Sequence, residues 1–271
     1  MKIKRYLPLV LSAMLLVACA TSPTGRSQLM LISPQAAIAE SAKAYASTVG
    51  ALSKKNELLH DTAVTRRIQT ITGRLVAVAE KQYPKSDDWN WSVAVIDDPK
   101  TVNAWAMAGG RMAVYTGLLQ QLQLTDAELA QIMGHEIAHA LANHTAEQMS
   151  VAIATQLGVS AVGMATDASD STLTVGAIAA QLAVQLPNSR TAESEADRIG
   201  VELAARAGYD PQAAVTLWQK MEKVSGNGPP QFLSTHPAPG NRQKTLSNLV
   251  PQMEKLRPAK LVPAAPVELA R

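Results

Sequence analysis

The sequence is poor in cysteine and in aromatic residues. Cys19 is the only cysteine among 271 residues, so no disulfide can form within the chain. There are one phenylalanine, four tryptophans and five tyrosines, and the apolar content consists mostly of alanine, valine and leucine. This composition disfavours a sheet-rich sandwich and favours helices packed at close range. The length suffices for one domain with a buried core, or at most two small domains.

The chain also lacks excess charge outside its first 18 residues. Those residues contain the basic side chains Lys2, Lys4 and Arg5 and no acidic one. The rest of the chain has 22 basic and 22 acidic residues, although the whole sequence carries a formal charge of +3. The basic isoelectric point is therefore a property of the leader and gives no reason to expect a nucleic-acid partner.

The leader has the layout of a signal peptide. Its basic start is followed by a largely apolar run over residues 7–18, as in secretory signals. The string Leu16 to Cys19 resembles the cleavage box of bacterial lipoproteins, in which the cysteine is acylated and becomes the mature N-terminus. We therefore predict a signal peptide over 1–18 and a lipid on Cys19; an ordinary secretory signal is the alternative. Ala20 in place of aspartate favours the outer membrane, by resemblance to lipoprotein sorting rules.

The predicted fold class is α+β and mainly helical, with a small β-sheet. Residues 19–34 contain proline, glycine and hydroxyl residues and predict a lipid-anchored tether, 35–256 form the main domain, and 257–271 form a loose Pro/Ala-rich tail. Periodicity predicts helices at 35–60, 61–82, 125–150, 190–207, 211–224 and 240–256, and strands at 91–97, 103–107 and 112–115.

Two uncharged runs, 151–166 and 171–186, require a separate interpretation. Each is shorter than the roughly 20 residues that a membrane span needs. We predict a soluble helical hairpin here, with membrane spans as the alternative.

The string His135-Glu136-Ile137-Ala138-His139 carries the chemistry. Side chains four residues apart lie on one face of a helix, so both imidazoles face one point. Two neutral imidazoles suit zinc. Glu136 lies to the side of the metal, where it can take a proton from the attacking water. The string predicts one Zn²⁺ per chain, with His135 and His139 as ligands and Glu136 as the general base.

A third histidine ligand of the metzincin kind is absent. The position six residues after His139 is Thr145, and His144 falls one residue short of it. If the helix continues to about Ser150, His144 points well away from His139. The sequence therefore predicts a ligand from elsewhere in the chain.

Glu193 and Asp197 provide the gluzincin alternative. They are four residues apart on the predicted helix 190–207 and share a face. We predict that Glu193 binds the metal and that Asp197 accepts a hydrogen bond from a ligating histidine. Glu195 faces elsewhere and is the weaker candidate.

The two strings and their spacing resemble metallopeptidase family forty-eight, the HtpX and CAAX prenyl protease family, and within it the periplasmic lipoprotein-type members. The resemblance covers about residues 22–250. The chain departs from it at Ala108, where the family often has proline. It also lacks the membrane spans of HtpX and any helical-repeat extension. Further agreement comes from residues 24–29, 102–110, 115–118, 189–190, 233–237 and Arg242.

The resemblance implies two further parts of the site. It implies an edge strand beside the cleft that binds extended substrates, with Asn103, Ala104, Gly109 and Gly110 as substrate-binding residues; a plain hairpin is the alternative. It also implies that the loop containing His236 lies near the metal. There His236 either stabilises the oxyanion or occupies the open metal position and keeps the enzyme latent, and a packing histidine is the remaining alternative.

These patterns together predict a zinc metalloendopeptidase, anchored by lipid to the periplasmic face of the outer membrane, with misfolded or unassembled envelope proteins as substrates. One alternative is a lipoprotein chaperone for outer-membrane proteins, with latent or secondary proteolysis. Another is a structural lipoprotein that zinc stabilises and that has no catalytic activity. Glu136 distinguishes the last, because a structural zinc site needs four closed ligands and no base.

Overall fold

The structure is a computed structural model, and it describes residues 19–60, 62–165, 189–224, 231–236 and 241–271. The predicted signal peptide and the second uncharged run, 171–186, lie outside these residues. The described chain is mainly helical with two small sheets, which confirms the predicted α+β class. Within the described ranges, no helix is both long and apolar enough to cross a membrane.

The described chain begins with a short β-hairpin. Strand β1 (Cys19–Thr21) pairs antiparallel with β2 (Ser27–Leu29). Cys19 is exposed, whereas Gln28 is buried. The expectation of a tether over residues 19–34 therefore needs correction, because buried polar contacts hold this hairpin against the domain.

Two long helices follow the hairpin, close to the predicted ranges. Helix α1 (Pro34–Lys54) starts after Ser33, whose side chain accepts a hydrogen bond from the Ala36 backbone, as N-cap residues do. Helix α2 (Ala63–Gln82) starts after Thr62, which forms a capping box. One face of α2 is buried at spacings of three and four residues, with Ile68, Ile71, Leu75 and Val78 in the core.

The main sheet has its strands in the order β4-β5-β3-β6. Strands β4 (Ala104–Met107) and β5 (Arg111–Tyr115) form an antiparallel hairpin, and β5 pairs parallel with β3 (Ser92–Ile96). The turn uses Gly109 and Gly110 at φ of +82° and +77°, a backbone region that favours glycine. Among the described strands, β4 has a neighbour on one side only, so it is an edge strand.

The helix that carries the histidine string starts as predicted. After the short helix α3 (Thr116–Leu122), helix α4 (Asp126–Leu141) opens with a capping box. Thr125 accepts a hydrogen bond from the Glu128 backbone, and the Glu128 carboxylate accepts one from the Thr125 backbone. This reciprocal pair satisfies two N–H groups that the helix start leaves open.

The prediction that this helix continues to about Ser150 is wrong. It ends at Leu141, and Asn143 adopts a left-handed conformation with φ of +55°. Asparagine tolerates this conformation better than most residues. A new helix, α5 (His144–Ala165), therefore begins in another direction.

Three of the later helices confirm predicted ones to within a few residues, and a short fourth one, just before His236, was not predicted. Their boundaries are 189–206 for α6, Ala213–Val224 for α7, Gln231–Thr235 for α8 and Arg242–Glu254 for α9. Helices α4 and α6 approach closely at two glycines. A Cβ on Gly134 would lie 2.7 Å from the Gly200 carbonyl oxygen. Only glycine permits this approach, which brings α6 beside the histidine string.

The C-terminal segment is ordered along the domain. Strand β6 (Glu268–Leu269) pairs parallel with β3, and the Ala265 N–H donates to the Gly73 carbonyl at 2.9 Å. Gly73 has no room for a Cβ, which would lie 2.4 Å from the Ala265 carbonyl oxygen. The expectation of a loose tail over 257–271 is therefore wrong, because this segment supplies the fourth strand.

Candidate metal centre

The two imidazoles of the histidine string face one point. The Nε2 atoms of His135 and His139 are 3.0 Å apart. His135 is buried, and His139 is half-buried. Positions four apart on α4 produce this geometry, as the sequence predicted.

Glu193 reaches the same point from α6. Its Oε2 lies 3.2 Å from His135 Nε2, and its Oε1 lies 3.4 Å from His139 Nε2. Burial raises the pKa of a carboxyl group, but hydrogen bonds from these imidazoles outweigh it and lower the pKa of Glu193 well below its usual range. Glu193 is therefore a carboxylate at neutral pH.

His236 is the fourth donor of the cluster. It follows α8, and its backbone N–H donates to the Phe232 carbonyl at 2.9 Å. Its Nδ1 lies 3.3 Å from His135 Nε2 and 3.1 Å from Glu193 Oε1. The Phe232 ring stacks on the imidazole with centroids 4.5 Å apart. His236 is thus buried against the cluster and is not a surface histidine.

The spacing of these donors fits a zinc ion. Atoms bound tetrahedrally to zinc at about 2.0–2.1 Å lie about 3.3 Å from one another. The contacts here range from 3.0 to 3.4 Å, and one ligand atom from each of the four residues lies within 4.8 Å of the others. Two ring nitrogens at 3.0 Å are favourable only with a proton or a cation between them. Among the described residues, Glu193 Oε2 is buried without a hydrogen-bond partner.

The electrostatics of the cluster also favour a cation. Burial opposes charge on His135, but Asp197 and Glu193 outweigh it and raise its pKa to about 9. Burial lowers the pKa of His139 to about 3. The two carboxylates therefore favour positive charge at His135, and Glu193 does so on the side that faces the cluster.

Asp197 orients the first histidine. Its Oδ1 lies 3.1 Å from His135 Nδ1 and accepts the proton of that nitrogen. Because Nδ1 faces Asp197, the ring is oriented with Nε2 directed at the cluster. The predicted roles of Glu193 and Asp197, one turn apart on α6, are compatible with this arrangement.

Arg242 is a site residue that the sequence analysis did not select. Its guanidinium pairs with Asp197 and lies 3.7 Å from the centre of the Trp218 ring. It is buried, so its charge compensates the carboxylates behind the metal ligands. No local motif predicts that Arg242 belongs to the site. In the sequence it stands out only as one of the positions that agree with the family resemblance.

Glu136 lies beside the cluster, and one of its two carboxylate oxygens has no hydrogen-bond partner in the described part of the chain. Its Oε1 is 3.4 Å from His236 Nε2 and has no hydrogen bond within the described residues. Burial raises the pKa of Glu136, although the Ala106 backbone N–H acts in the opposite direction. A raised pKa suits a group that accepts a proton at neutral pH.

The edge of β4 faces Glu136. The Asn103 carbonyl accepts a hydrogen bond from the Tyr115 N–H at 3.1 Å. Bonded pairs alternate in an antiparallel ladder, so Ala104 and Ala106 direct their backbone groups to the open edge. The Asn103 side chain occupies the Ala104 N–H at 3.0 Å. The Ala106 N–H faces Glu136. The backbone groups left free for a substrate at this edge are therefore the carbonyls of Ala104 and Ala106.

The two glycines of the turn have different surroundings. A Cβ on Gly109 would lie 2.8 Å from Ile38, and a Cβ on Gly110 would lie 2.4 Å from Trp91. These contacts explain why both positions need glycine for the fold. Their substrate-binding role stays a prediction.

His144 lies beside His139, contrary to expectation. Its Nδ1 is 2.8 Å from His139 Nδ1, and its Nε2 is 3.2 Å from Glu195 Oε2. The helix break at Asn143 turns His144 back toward α4. Glu195 does not join the four-donor cluster, in agreement with its lower rank as a ligand.

Comparison with known proteins gives a consistent result. The model of peptidase family M48 matches residues 62–250. The mitochondrial metalloendopeptidase OMA1 of Bos taurus is 35% identical over 247 residues, which is 86% of this chain and 46% of the relative. Human OMA1 is 36% identical over 248 residues, with the same two shares. The beta-barrel assembly-enhancing protease of Yersinia pestis is 31% identical over 206 residues, or 73% of this chain and 41% of the relative. The chain thus spans about half the length of these curated relatives.

Proposed function

The chain belongs to peptidase family M48, whose members are metallopeptidases, and from this premise we propose that it is a zinc metalloendopeptidase. The observation that carries the proposal is the juxtaposition of Glu136 with four metal-type donors, whose ligand atoms lie within 4.8 Å of one another. A purely structural zinc site has no use for a buried carboxylate with a free oxygen beside it.

Each residue of the centre has a defined task in this mechanism. His135, His139 and Glu193 hold the ion, which when bound would polarise the substrate carbonyl and make water a nucleophile at neutral pH. Glu136 takes the proton of the attacking water and delivers it to the leaving nitrogen. Asp197 keeps His135 oriented.

The edge strand selects the substrate through its backbone. An extended chain would add to β4 by bonding to the carbonyls of Ala104 and Ala106. Main-chain pairing makes little use of side chains, so it selects for unfolded or loose segments over particular sequences. Glu136 lies at this edge, which brings a paired peptide bond close to the base.

His236 would hold the ion as a fourth ligand in the resting enzyme. Its Nδ1 stands within ligand spacing of His135 and Glu193, which favours the plug over the oxyanion donor. Substrate would gain access to the centre once His236 moves away. Latency of this kind protects folding proteins near a tethered protease.

The proposal also includes the cellular location of the enzyme and its substrates. We take the domain predicted over 35–256, together with the N-terminal hairpin and strand β6, as the catalytic domain. We place it after a signal peptide over 1–18 and a lipid on Cys19, at the periplasmic face of the outer membrane. Substrates are misfolded or unassembled envelope proteins. Relatives named beta-barrel assembly-enhancing proteases support the envelope setting.

Proteolysis can be tested with residues 19–271 purified without acylation. Casein is incubated with this protein, with a zinc chelator, and with chelator followed by added zinc. We expect fragments that disappear on chelation and return with zinc. Glu136→Gln should keep zinc and fold but lose about 10²–10⁴-fold in rate, since it removes the base. Cleavage that survives both chelation and Glu136→Gln would contradict the proposal.

Anchoring is tested separately in a diderm bacterial host fed labelled fatty acid. Wild-type protein should carry the label and sediment with outer membranes, whereas Cys19→Ser should do neither. Ala20→Ser is the control and should remain labelled. Label on the Cys19→Ser protein would refute the lipid site.

A further inference from the structure

The second metal ligand has an unusual neighbour at its outer nitrogen. His139 Nδ1 lies 2.8 Å from His144 Nδ1, with ring centroids 4.9 Å apart and planes at 70°. The contrast with the first ligand is direct, because His135 Nδ1 meets a carboxylate, that of Asp197.

The protons of this pair have one consistent arrangement. His139 directs Nε2 at the cluster, so its proton is on Nδ1 and is donated to His144. His144 must then accept through an unprotonated Nδ1, which leaves its own proton on Nε2. That proton is donated to Glu195 Oε2 at 3.2 Å. The hydrogen bonds from His139 therefore lead through His144 to the carboxylate of Glu195. His135 contacts its carboxylate, that of Asp197, directly.

The N-terminal hairpin holds this carboxylate. Thr24 donates to Glu195 Oε1 from its hydroxyl at 2.6 Å, and Arg26 Nε donates to Oε2 at 3.0 Å. Arg26 also binds both oxygens of Glu147 at 2.6 Å. Gln28 donates to Glu147 and to the Ala142 carbonyl, each at 2.8 Å. Paired charges of this kind offset the cost of burying Glu195 and Glu147.

We propose that His144 is a positioning residue for the metal ligand His139. The N-terminal hairpin supports this role, because Thr24 and Arg26 hold Glu195, the hydrogen-bond partner of His144, in place. The inference rests on the proposed zinc site. His144 selects the tautomer and ring orientation in which His139 presents Nε2 to the ion. The segment next to Cys19 is then part of the metal centre.

The alternative is a buried polar network that only stabilises the fold. The two differ in a measurable way. Loss of an orienting partner typically weakens metal binding 10–100-fold, whereas a structural role lowers the stability of the zinc-free protein and leaves the zinc affinity of the folded variant unchanged.

The test measures zinc dissociation constants by competition with a chromophoric chelator, on residues 19–271 and on folded variants. His144→Leu removes the acceptor and should weaken zinc binding about 10–100-fold. His144→Asn keeps an acceptor near Nδ1 but loses Glu195, so it should fall between wild type and His144→Leu. Arg26→Gln should also weaken binding, by less. Glu202→Gln is the control, because its partner Arg206 lies on the same helix.

Cobalt absorption spectra provide a second readout of ligand geometry. The His144 variants should change the visible bands of the cobalt-loaded protein, and the Glu202→Gln control should not. Zinc affinities of His144→Leu and Arg26→Gln within twofold of wild type would overturn the inference and leave the proposed function intact. A folded wild type that binds no zinc would overturn both. If His144→Leu fails to fold, His144→Asn and Arg26→Gln decide.

Discussion

At the scale of single residues, the proposed mechanism gives His236 the role of closing the metal centre in the resting enzyme. It is the only one of the four donors that does not lie on α4 or α6, and it follows the five-residue helix α8. A donor held by so short an element can move without disturbing the other three. Substitution of His236 can therefore distinguish its two possible roles, as a metal ligand in the resting enzyme or as a residue that stabilises the oxyanion.

His236→Ala should raise basal cleavage of a short peptide several-fold, because the displaced position becomes open to water and substrate. It should also weaken zinc binding, since one ligand is lost. Peptide turnover and zinc affinity are measured together, with the exposed His60→Ala as the control. A fall in kcat with unchanged zinc affinity would instead assign His236 to oxyanion stabilisation.

At the scale of helices, the contact between Gly134 and Gly200 controls the distance from the histidine string to Glu193. The backbones of α4 and α6 meet at this point without side chains between them. Any added group moves α6, and with it a ligand, away from α4.

Gly134→Ala should therefore destabilise the protein by about 1–3 kcal/mol through overpacking and should lower zinc affinity. Gly50→Ala in α1 is a matched control, because nothing lies within 4 Å of its Cβ position. In an open helix position alanine is favoured by up to about 1 kcal/mol. Unfolding and zinc titration of both variants check this, and equal behaviour would contradict the helix-spacing argument.

The capping box of α4 has a pH dependence of its own. Burial raises the pKa of Glu128, but Lys220 and the Thr125 and Thr216 groups outweigh it, so the net pKa is lowered. Lys220 Nζ donates to this carboxylate at 2.6 Å. The charged form is favoured in the folded state. Its contribution is therefore complete above the unfolded pKa, near 4.3, and is lost as pH falls through the lower folded pKa.

Glu128→Gln should reduce the free energy of unfolding at pH 7 by about 1–2 kcal/mol, because glutamine can keep the capping hydrogen bond but loses the charge-assisted bond from Lys220. The difference from wild type should shrink as the pH drops below about 4. Denaturant unfolding of zinc-free protein across this range measures it. A difference that stays constant down to the lowest pH would mean that the charge of Glu128 is not responsible.

At the scale of the whole molecule, both ends of the described chain are built into the domain. The N-terminal hairpin reaches Glu195, and the C-terminal segment supplies strand β6 beside β3. The Glu268 and Ala270 N–H groups donate to the Trp91 and Val93 carbonyls at 2.9 and 3.0 Å. Neither end is an independent appendage.

Deletion of residues 264–271 should lower the free energy of unfolding by roughly 2–4 kcal/mol, because three backbone hydrogen bonds are lost at about 0.5–1.5 kcal/mol each. Zinc affinity should change little, since β6 lies at the sheet edge opposite β4. Removal of the exposed Arg271 alone is the control. Unchanged stability after the larger deletion would contradict the role of β6.

Local sequence patterns were enough to predict the features that depend on short separations along the chain. Spacings of four residues predicted the pairing of His135 with His139 and of Glu193 with Asp197, because a helix repeats every 3.6 residues. The start of the helix at 125 and the strands at 103–107 and 112–115 followed from local sequence patterns, whereas the edge position of the first strand came from the family resemblance. The mainly helical α+β class followed from composition and periodicity.

Contacts between distant segments became visible only in the folded chain. One left-handed residue, Asn143, redirected α5 and placed His144 against His139. Arg242 lies 107 positions from His135, and Arg26 lies 169 from Glu195. No periodic pattern encodes such contacts, since they depend on how whole helices pack. For the same reason the Pro- and Ala-rich end looked loose in sequence, although packing against Gly73 and β3 makes it a strand.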